Sequence, residues 1–148
     1  MNIELYDTTL RDGAQQSGIS LSLKDKINIT LKLDELGIPT IEGGYAGSNP
    51  KDDEYFKLIQ KENLSNSTIS AFGSTRKPNS KIESDKIVNA MLSSEAKTLA
   101  VVGKSSSKQV EKVLETTLDE NLNMISETIK HLKERDRRVI FDAEHFFD

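Results

Sequence analysis

Cysteine and tryptophan are absent from this chain. Without cysteine there can be no disulfide and no thiolate zinc site. Long apolar runs are missing too, and nothing approaches the roughly 20 apolar residues of a membrane-spanning helix. The opening MNIELYD has neither a basic n-region nor an apolar h-region, so no secretory signal is expected. A strong excess of one sign is lacking too: a formal net charge of -4 is spread over interspersed acids and bases, which gives no broad basic field for nucleic acid. The one dense run, Lys133-Glu134-Arg135-Asp136-Arg137-Arg138, reads as a solvated helix end whose cations suit the negative end of the helix dipole. A mean hydropathy of -0.51 over 148 residues fits one soluble domain. A cytoplasmic location is expected, with neither nucleic acid nor membrane as partner. Glycine-rich phosphate loops are also lacking. No Gly-x-Gly-x-x-Gly follows a strand and there is no Walker-type loop, which argues against the common nucleotide-binding sheets.

What is present is an alternation of strands and helices. Ile3–Thr9 reads as a first strand. Ser22 with Asp25 three positions on starts a helix that carries Ile27, Ile29, Leu31, Leu33 and Leu36 and stops at Gly37. Thr40–Tyr45 is a second strand, and Asn49-Pro50 caps a second helix that turns Tyr55, Phe56 and Ile59 inward. Thr68–Ser74 is a third strand, followed by a helix over about 84–95. Strand four begins at Thr98, and a short helical turn is expected over 108–114. Thr117 and Glu120 form a capping box for a helix whose apolar residues Leu118, Leu122, Ile125, Ile129 and Leu132 define its inward stripe. Strand five is Val139–Glu144. Such alternation implies right-handed crossovers and a parallel sheet.

Each strand ends in polar or reactive residues: Arg11-Asp12 with Gln15, Glu42-Gly43-Gly44, Gly73 to Arg76, Gly103-Lys104 and Glu144-His145. Reactive groups converging from several strand ends are the habit of a (β/α)8 barrel. About four βα units plus a fifth strand make only a partial barrel, so the chain reads as the first half of something longer. The alternative is a five-stranded open sheet with Phe146 and Phe147 as ordinary core.

Leu10-Arg11-Asp12-Gly13-Ala14-Gln15, then ten residues, then Lys26, resembles the signature of the isopropylmalate/homocitrate/citramalate synthases. The stretches Ile41–Asp52, Ala71–Arg76, Gly103–Ser105 and Asp142–Asp148 are similar to the citramalate synthase branch. The resemblance covers essentially the whole chain but only the first half of that family's catalytic barrel. Tyr45-Ala46 stands where the family pattern has Trp-Pro, and Ser17 where it has Glu. The resemblance implies a pyruvate carboxyltransferase-like TIM barrel. The implied chemistry is a Claisen-type condensation of acetyl-CoA with pyruvate and thioester hydrolysis to citramalate, in isoleucine biosynthesis. Isopropylmalate or homocitrate formation from a larger 2-oxo acid is the alternative. The implied cofactor is a divalent metal (Mn, Mg or Zn), and the implied assembly a homodimer.

Such a condensation needs a polarised keto oxygen, a base for the acetyl methyl and a cation where charge develops. Asp12 resembles the family's metal-binding aspartate; on its own it would be an ordinary loop or capping residue. Arg11 is a permanent planar cation suited to a developing enolate oxygen, or a surface partner of Asp12 or Glu144. Gln15 fits a substrate-orienting role, and Gly13 an unusual backbone angle or close approach. Glu144 resembles the family's catalytic glutamate. Glu42 belongs either to an interior network or to the substrate. Arg76 and Lys104 are candidate anion contacts or solvated loop residues. Lys26 is expected in a helix-face ion pair. The resemblance also implies two further metal ligands from a His-x-His. This chain has only His131, expected to be solvated on its helix, and His145. The polypeptide is therefore expected to be inactive alone, as a truncated product or a half-barrel that needs a partner chain and can self-associate.

Overall fold

The computed structural model describes residues 3–147. Five parallel strands run in sequence order: β1 (Tyr6–Asp7), β2 (Thr40–Tyr45), β3 (Thr68–Ser74), β4 (Thr98–Lys104) and β5 (Arg138–Glu144). Between them lie α1 (Leu23–Glu35), α2 (Pro50–Ile59), α3 (Lys86–Ser93), α4 (Ser107–Lys112) and α5 (Leu118–Lys133). A nucleotide-binding sheet reverses its strand order at a switch point. This sheet never does, and each crossover advances it by one strand, so it curls into a half-barrel with its helices on the convex side. Phe146 and Phe147 are exposed and touch each other edge to face, so they are not the core of an open sheet.

Side-chain alternation sorts the two faces of the sheet. Ile41, Ile69, Ala71, Leu99 and Val101 pack outward on Tyr55, Phe56, Ile59, Val88, Met91 and Leu132. The opposite parity, including Glu42, Ser70, Phe72, Val102, Lys104 and Glu144, faces the concave side. In β2 the pairing register with β3 shifts between Glu42 and Gly44. A Cβ on Gly43 would overlap the Tyr55 ring, and one on Gly44 would stand 2.7 Å from the Asp52 carboxylate carbon, so this irregular stretch requires glycine.

The Ser22–Asp25 capping box is complete, with each side chain bonded to the other residue's backbone N–H. Other expectations are revised. The first strand keeps only Tyr6–Asp7. The third helix starts at Lys86, capped by Asp85, whose carboxylate accepts from the Ile87 and Val88 amides. Thr117 caps α5, but Glu120 does not return the bond; its carboxylate accepts from Arg76 and from the Asn79 amide.

In two helices the most deeply buried row is only partly the one that the apolar periodicity marks: Ile27, Ile29 and Leu33 of α1 pack half-buried against the core, Ile125 and Ile129 of α5 are half-buried as well, and Leu132 is fully buried. On α1 the fully covered row is Lys26, Thr30 and Asp34, whereas Leu36 is exposed. Each of the three has a partner. Lys26 Nζ lies 2.5 Å from Asp52, Thr30 Oγ1 2.8 Å from the Tyr55 hydroxyl, and Asp34 accepts from the Ser65, Asn66 and Ser67 amides. On α5 the covered residues are Asn121, Met124, Thr128, His131 and Leu132, while Leu118 and Leu122 face outward.

Candidate functional site

The concave face opens, at the C-terminal ends of the strands, into a cavity of about 570 Å³. Arg11, Asp12 and Gln15 line it from the loop after β1, with Tyr45 and Phe72 from β2 and β3. Val102 and Lys104 enter from β4, Asp142 and Glu144 from β5, and Arg76 from the loop after β3. Strand-end loops on a parallel sheet are held by the ladder beneath them, which makes this end of the fold the place for chemistry.

Arg11 is held in the cavity by three neighbours. The Arg11 Nε–H donates to Glu42 Oε1. Its guanidinium carbon lies 3.9 Å from the centroid of the Phe72 ring, and Nη1 donates to Asp12 at 3.2 Å. Phe72 is braced by Tyr45, edge to face, with centroids 5.3 Å apart. Glu42 is only 2% exposed and also accepts from the Tyr6 hydroxyl at 2.5 Å. The carboxylate is thus satisfied at both oxygens, as a buried charge must be. Burial, and then the bond to Glu42, push the Tyr6 phenol well above its ordinary range, so it stays a proton donor.

On the far wall Glu144 pairs with Lys104, not with Arg11. Gln15 lies in the short 3-10 turn Gly13–Gln15 at the cavity edge. Gly13 needs neither an unusual backbone angle nor a close approach, since the nearest atom to an added Cβ would be 3.7 Å away. Arg76 lines the wall but is not solvated: it is 4% exposed, and its guanidinium donates to Glu127 at 2.5 Å and Glu120 at 2.6 Å. The bond to Glu120, foremost, raises the Arg76 pKa and holds the glutamate carboxyl below its usual range. Lys26 is not on a helix surface either; it is buried against Asp52 of α2, and burial lowers its pKa while Asp52 pulls the other way. His131 is buried on α5, and that burial lowers its pKa.

A divalent ion asks for several oxygen or nitrogen ligands at once. Among the described residues no group of three or more histidine, aspartate or glutamate side chains could hold one. Asp12 brings one largely exposed carboxylate to the rim, and Arg11 already engages it. The described residues alone do not fit a metal centre. Among them there is also no helix long and apolar enough to cross a membrane.

Tyr6 and Ser70 belong to the site's hydrogen-bond network although no motif announced them, and Phe72, inside the family-like stretch Ala71–Arg76, had no role assigned. Strand parity was the available signal, because Tyr6 shares the face of Glu4 opposite Leu5, and Ser70, Phe72 and Ser74 alternate with the buried Ile69, Ala71 and Gly73.

The family model described as HMGL-like matches residues 2–148. The chain is similar to (R)-citramalate synthases, being 54% identical to that of Synechocystis sp. over 97% of its length and 51% to that of Aquifex aeolicus over 99%. A 2-isopropylmalate synthase of Shouchella clausii is 32% identical over 96% of the chain. The chain spans about a quarter of these relatives' length: 26%, 28% and 27% respectively. In fold it matches the solved HMG-CoA lyase of Bacillus subtilis with a TM-score of 0.73 at 15% identity, covering 94% of this chain and 45% of that one. The Arg-Asp loop and the half-barrel that carries it thus agree with the overall similarity: the chain belongs to the HMGL-like family and, within it, to the citramalate branch of the isopropylmalate/homocitrate/citramalate synthases.

Proposed function

We propose that these residues supply the arginine–glutamate side of a site that condenses acetyl-CoA with pyruvate. In this reading Glu144 removes a proton from the acetyl methyl group, and Arg11 stabilises the enolate oxygen that results. The carbanion carbon attacks the keto carbon of pyruvate, and the new alkoxide takes up a proton. Water then cleaves the thioester to give citramalate and free CoA, a step of isoleucine biosynthesis. Gln15 and Glu42 orient the bound oxo acid, Glu42 by way of Arg11. Arg76, with its guanidinium held by two glutamates, shapes the wall beside the substrate.

The observation that carries the reading is the fixing of Arg11 on the cavity side: Nε is held by Glu42, the guanidinium lies over the Phe72 ring, and Nη1 meets Asp12. A prepositioned cation loses little on reorganising when charge develops, which is where electrostatic catalysis gains most. Residues 1–148 are, on this reading, the N-terminal part of a TIM-barrel catalytic domain. Later strands would complete the barrel and bring the ligands that Asp12 lacks for Mn, Mg or Zn. The complete enzyme would act as a homodimer in the cytoplasm.

The test is release of free CoA from acetyl-CoA and pyruvate with manganese present. The chain alone is expected to release none. The same residues fused to the remaining length of the Synechocystis relative are expected to turn over. Release by the chain alone would contradict the half-site, and a fusion that prefers a larger 2-oxo acid would replace citramalate by isopropylmalate or homocitrate chemistry. A non-catalytic half-barrel that pairs with another chain is favoured by one specific observation, the apolar side chains Leu118, Leu122 and Phe141 exposed along α5 and β5.

A further inference from the structure

We infer that Tyr6, supported by Ser70, is a positioning residue that limits how Glu42 grips Arg11 and so keeps the guanidinium available to an anionic substrate. The inference rests on reading the Arg11 cavity as a substrate site.

A carboxylate beside an arginine ordinarily forms a two-pronged pair, both oxygens meeting Nε and the Nη on the same edge. Here that pair is half made. Glu42 meets the guanidinium through Oε1 and Nε, and its second oxygen, Oε2, is held by the Tyr6 hydroxyl at 2.5 Å. The Ser70 hydroxyl oxygen lies 3.0 Å from the same phenol oxygen. The phenol has a single proton, which goes to the carboxylate, so Ser70 supplies the proton of the second contact. Glu42, Ser70 and Tyr6 belong to three neighbouring strands, β2, β3 and β1, and Glu42 and Ser70 are register partners. The network is therefore fixed by the ladder and not by loop conformation.

Without the Tyr6 hydroxyl, Oε2 would be a buried anionic oxygen with no donor, which is costly. The nearest cure is rotation of the carboxylate to take Arg11 Nη2 as well. That closes the fork and draws the guanidinium edge away from the substrate side. The phenol thus works through Glu42 and needs no contact with substrate.

Two readouts on the protein labelled with nitrogen-15 test this. Tyr6→Phe keeps the ring and removes only the hydroxyl. It is expected to slow rotation about the Arg11 Cζ–Nη2 bond and shift the Nε–H resonance, with the backbone amide spectrum otherwise retained. Pyruvate affinity by titration is expected to fall about ten-fold, as losing one hydrogen bond to a charged group implies. Ser70→Ala is expected to move the same arginine resonances in the same direction by less, and stands in should Tyr6→Phe fail to fold. Arginine resonances unchanged in the variants would overturn the inference. Resonances that move as expected, in a protein that binds no pyruvate even unmutated, would uphold the positioning and sink the substrate reading.

Discussion

At the scale of single residues, the pair Lys26–Asp52 shows how a signature lysine stabilises the site without facing it. Asp52 joins three things: it accepts from the Lys26 ammonium, from the Tyr45 amide at 3.1 Å and from the Asn49 side chain at 3.2 Å. The loop after β2, which carries Tyr45 to the cavity, is thereby tied to α1. Removing one partner of a buried pair strands the other charge, so Asp52→Ala is expected to cost about 3–5 kcal/mol near neutral pH. The sign of its pH dependence follows from Lys26. Burial lowers the folded pKa of Lys26, so the unfolded chain binds more protons between that value and the unfolded value near about 10.4, and stability rises with pH across that window. Loss of Asp52, which raises the Lys26 pKa, widens the window downward. Urea unfolding should therefore show the deficit of Asp52→Ala shrinking as pH rises toward the ordinary lysine range. A deficit constant with pH would count against a charged, buried Lys26.

At the scale of elements, α5 shows what periodicity can and cannot tell. The spacing of Leu118, Leu122, Ile125, Ile129 and Leu132 marks a helix of the right length and start, but of that row only Leu132 is fully buried, Ile125 and Ile129 are half-buried, and Leu118 and Leu122 face outward. Leu122 is 63% exposed and Met124 1%. Met124→Ala should therefore destabilise by about 2–5 kcal/mol, while Leu122→Ala stays within about 0.5 kcal/mol; thermal unfolding of the two variants decides between the two faces. β2 and β3 were legible to the residue, because parallel strands with a packed outer face read as compact runs bounded by turns. The buried polar row of α1 was not, since its partners Asp52, Tyr55 and 65–67 lie more than a full helix away in sequence. Arg76 and Glu120 escaped for the same reason: the cap at Thr117 was visible, but the cation that diverts Glu120 stands 44 positions earlier. The Arg11 loop was legible as a motif; its grip by Glu42, Tyr6 and Phe72 depends on which strands are neighbours, which spacing alone does not state.

For the whole molecule, the outer ladder of β5 and the outward face of α5 set the behaviour in solution. β5 is the last strand of the sheet order and seven residues long; Phe141 on it is 37% exposed, and Leu118 and Leu122 on α5 are exposed too. A strand edge with unpaired amides and carbonyls next to exposed apolar side chains is a template for association. Across the concave side, Arg138 at the start of β5 holds Glu4 with bonds of 2.8 and 3.0 Å, linking the two outer ends of the curl. An exposed pair of this kind contributes little to stability but still biases the curvature of an open sheet. The chain is therefore expected to self-associate as its concentration rises, through β5 and α5. Sedimentation velocity over a concentration series should show a rising mean mass, and Leu122→Lys combined with Phe141→Lys should return the chain toward monomer. A wild-type chain that sediments as one monomeric species at every concentration would contradict this, and would mean that the curl itself shields the β5 edge.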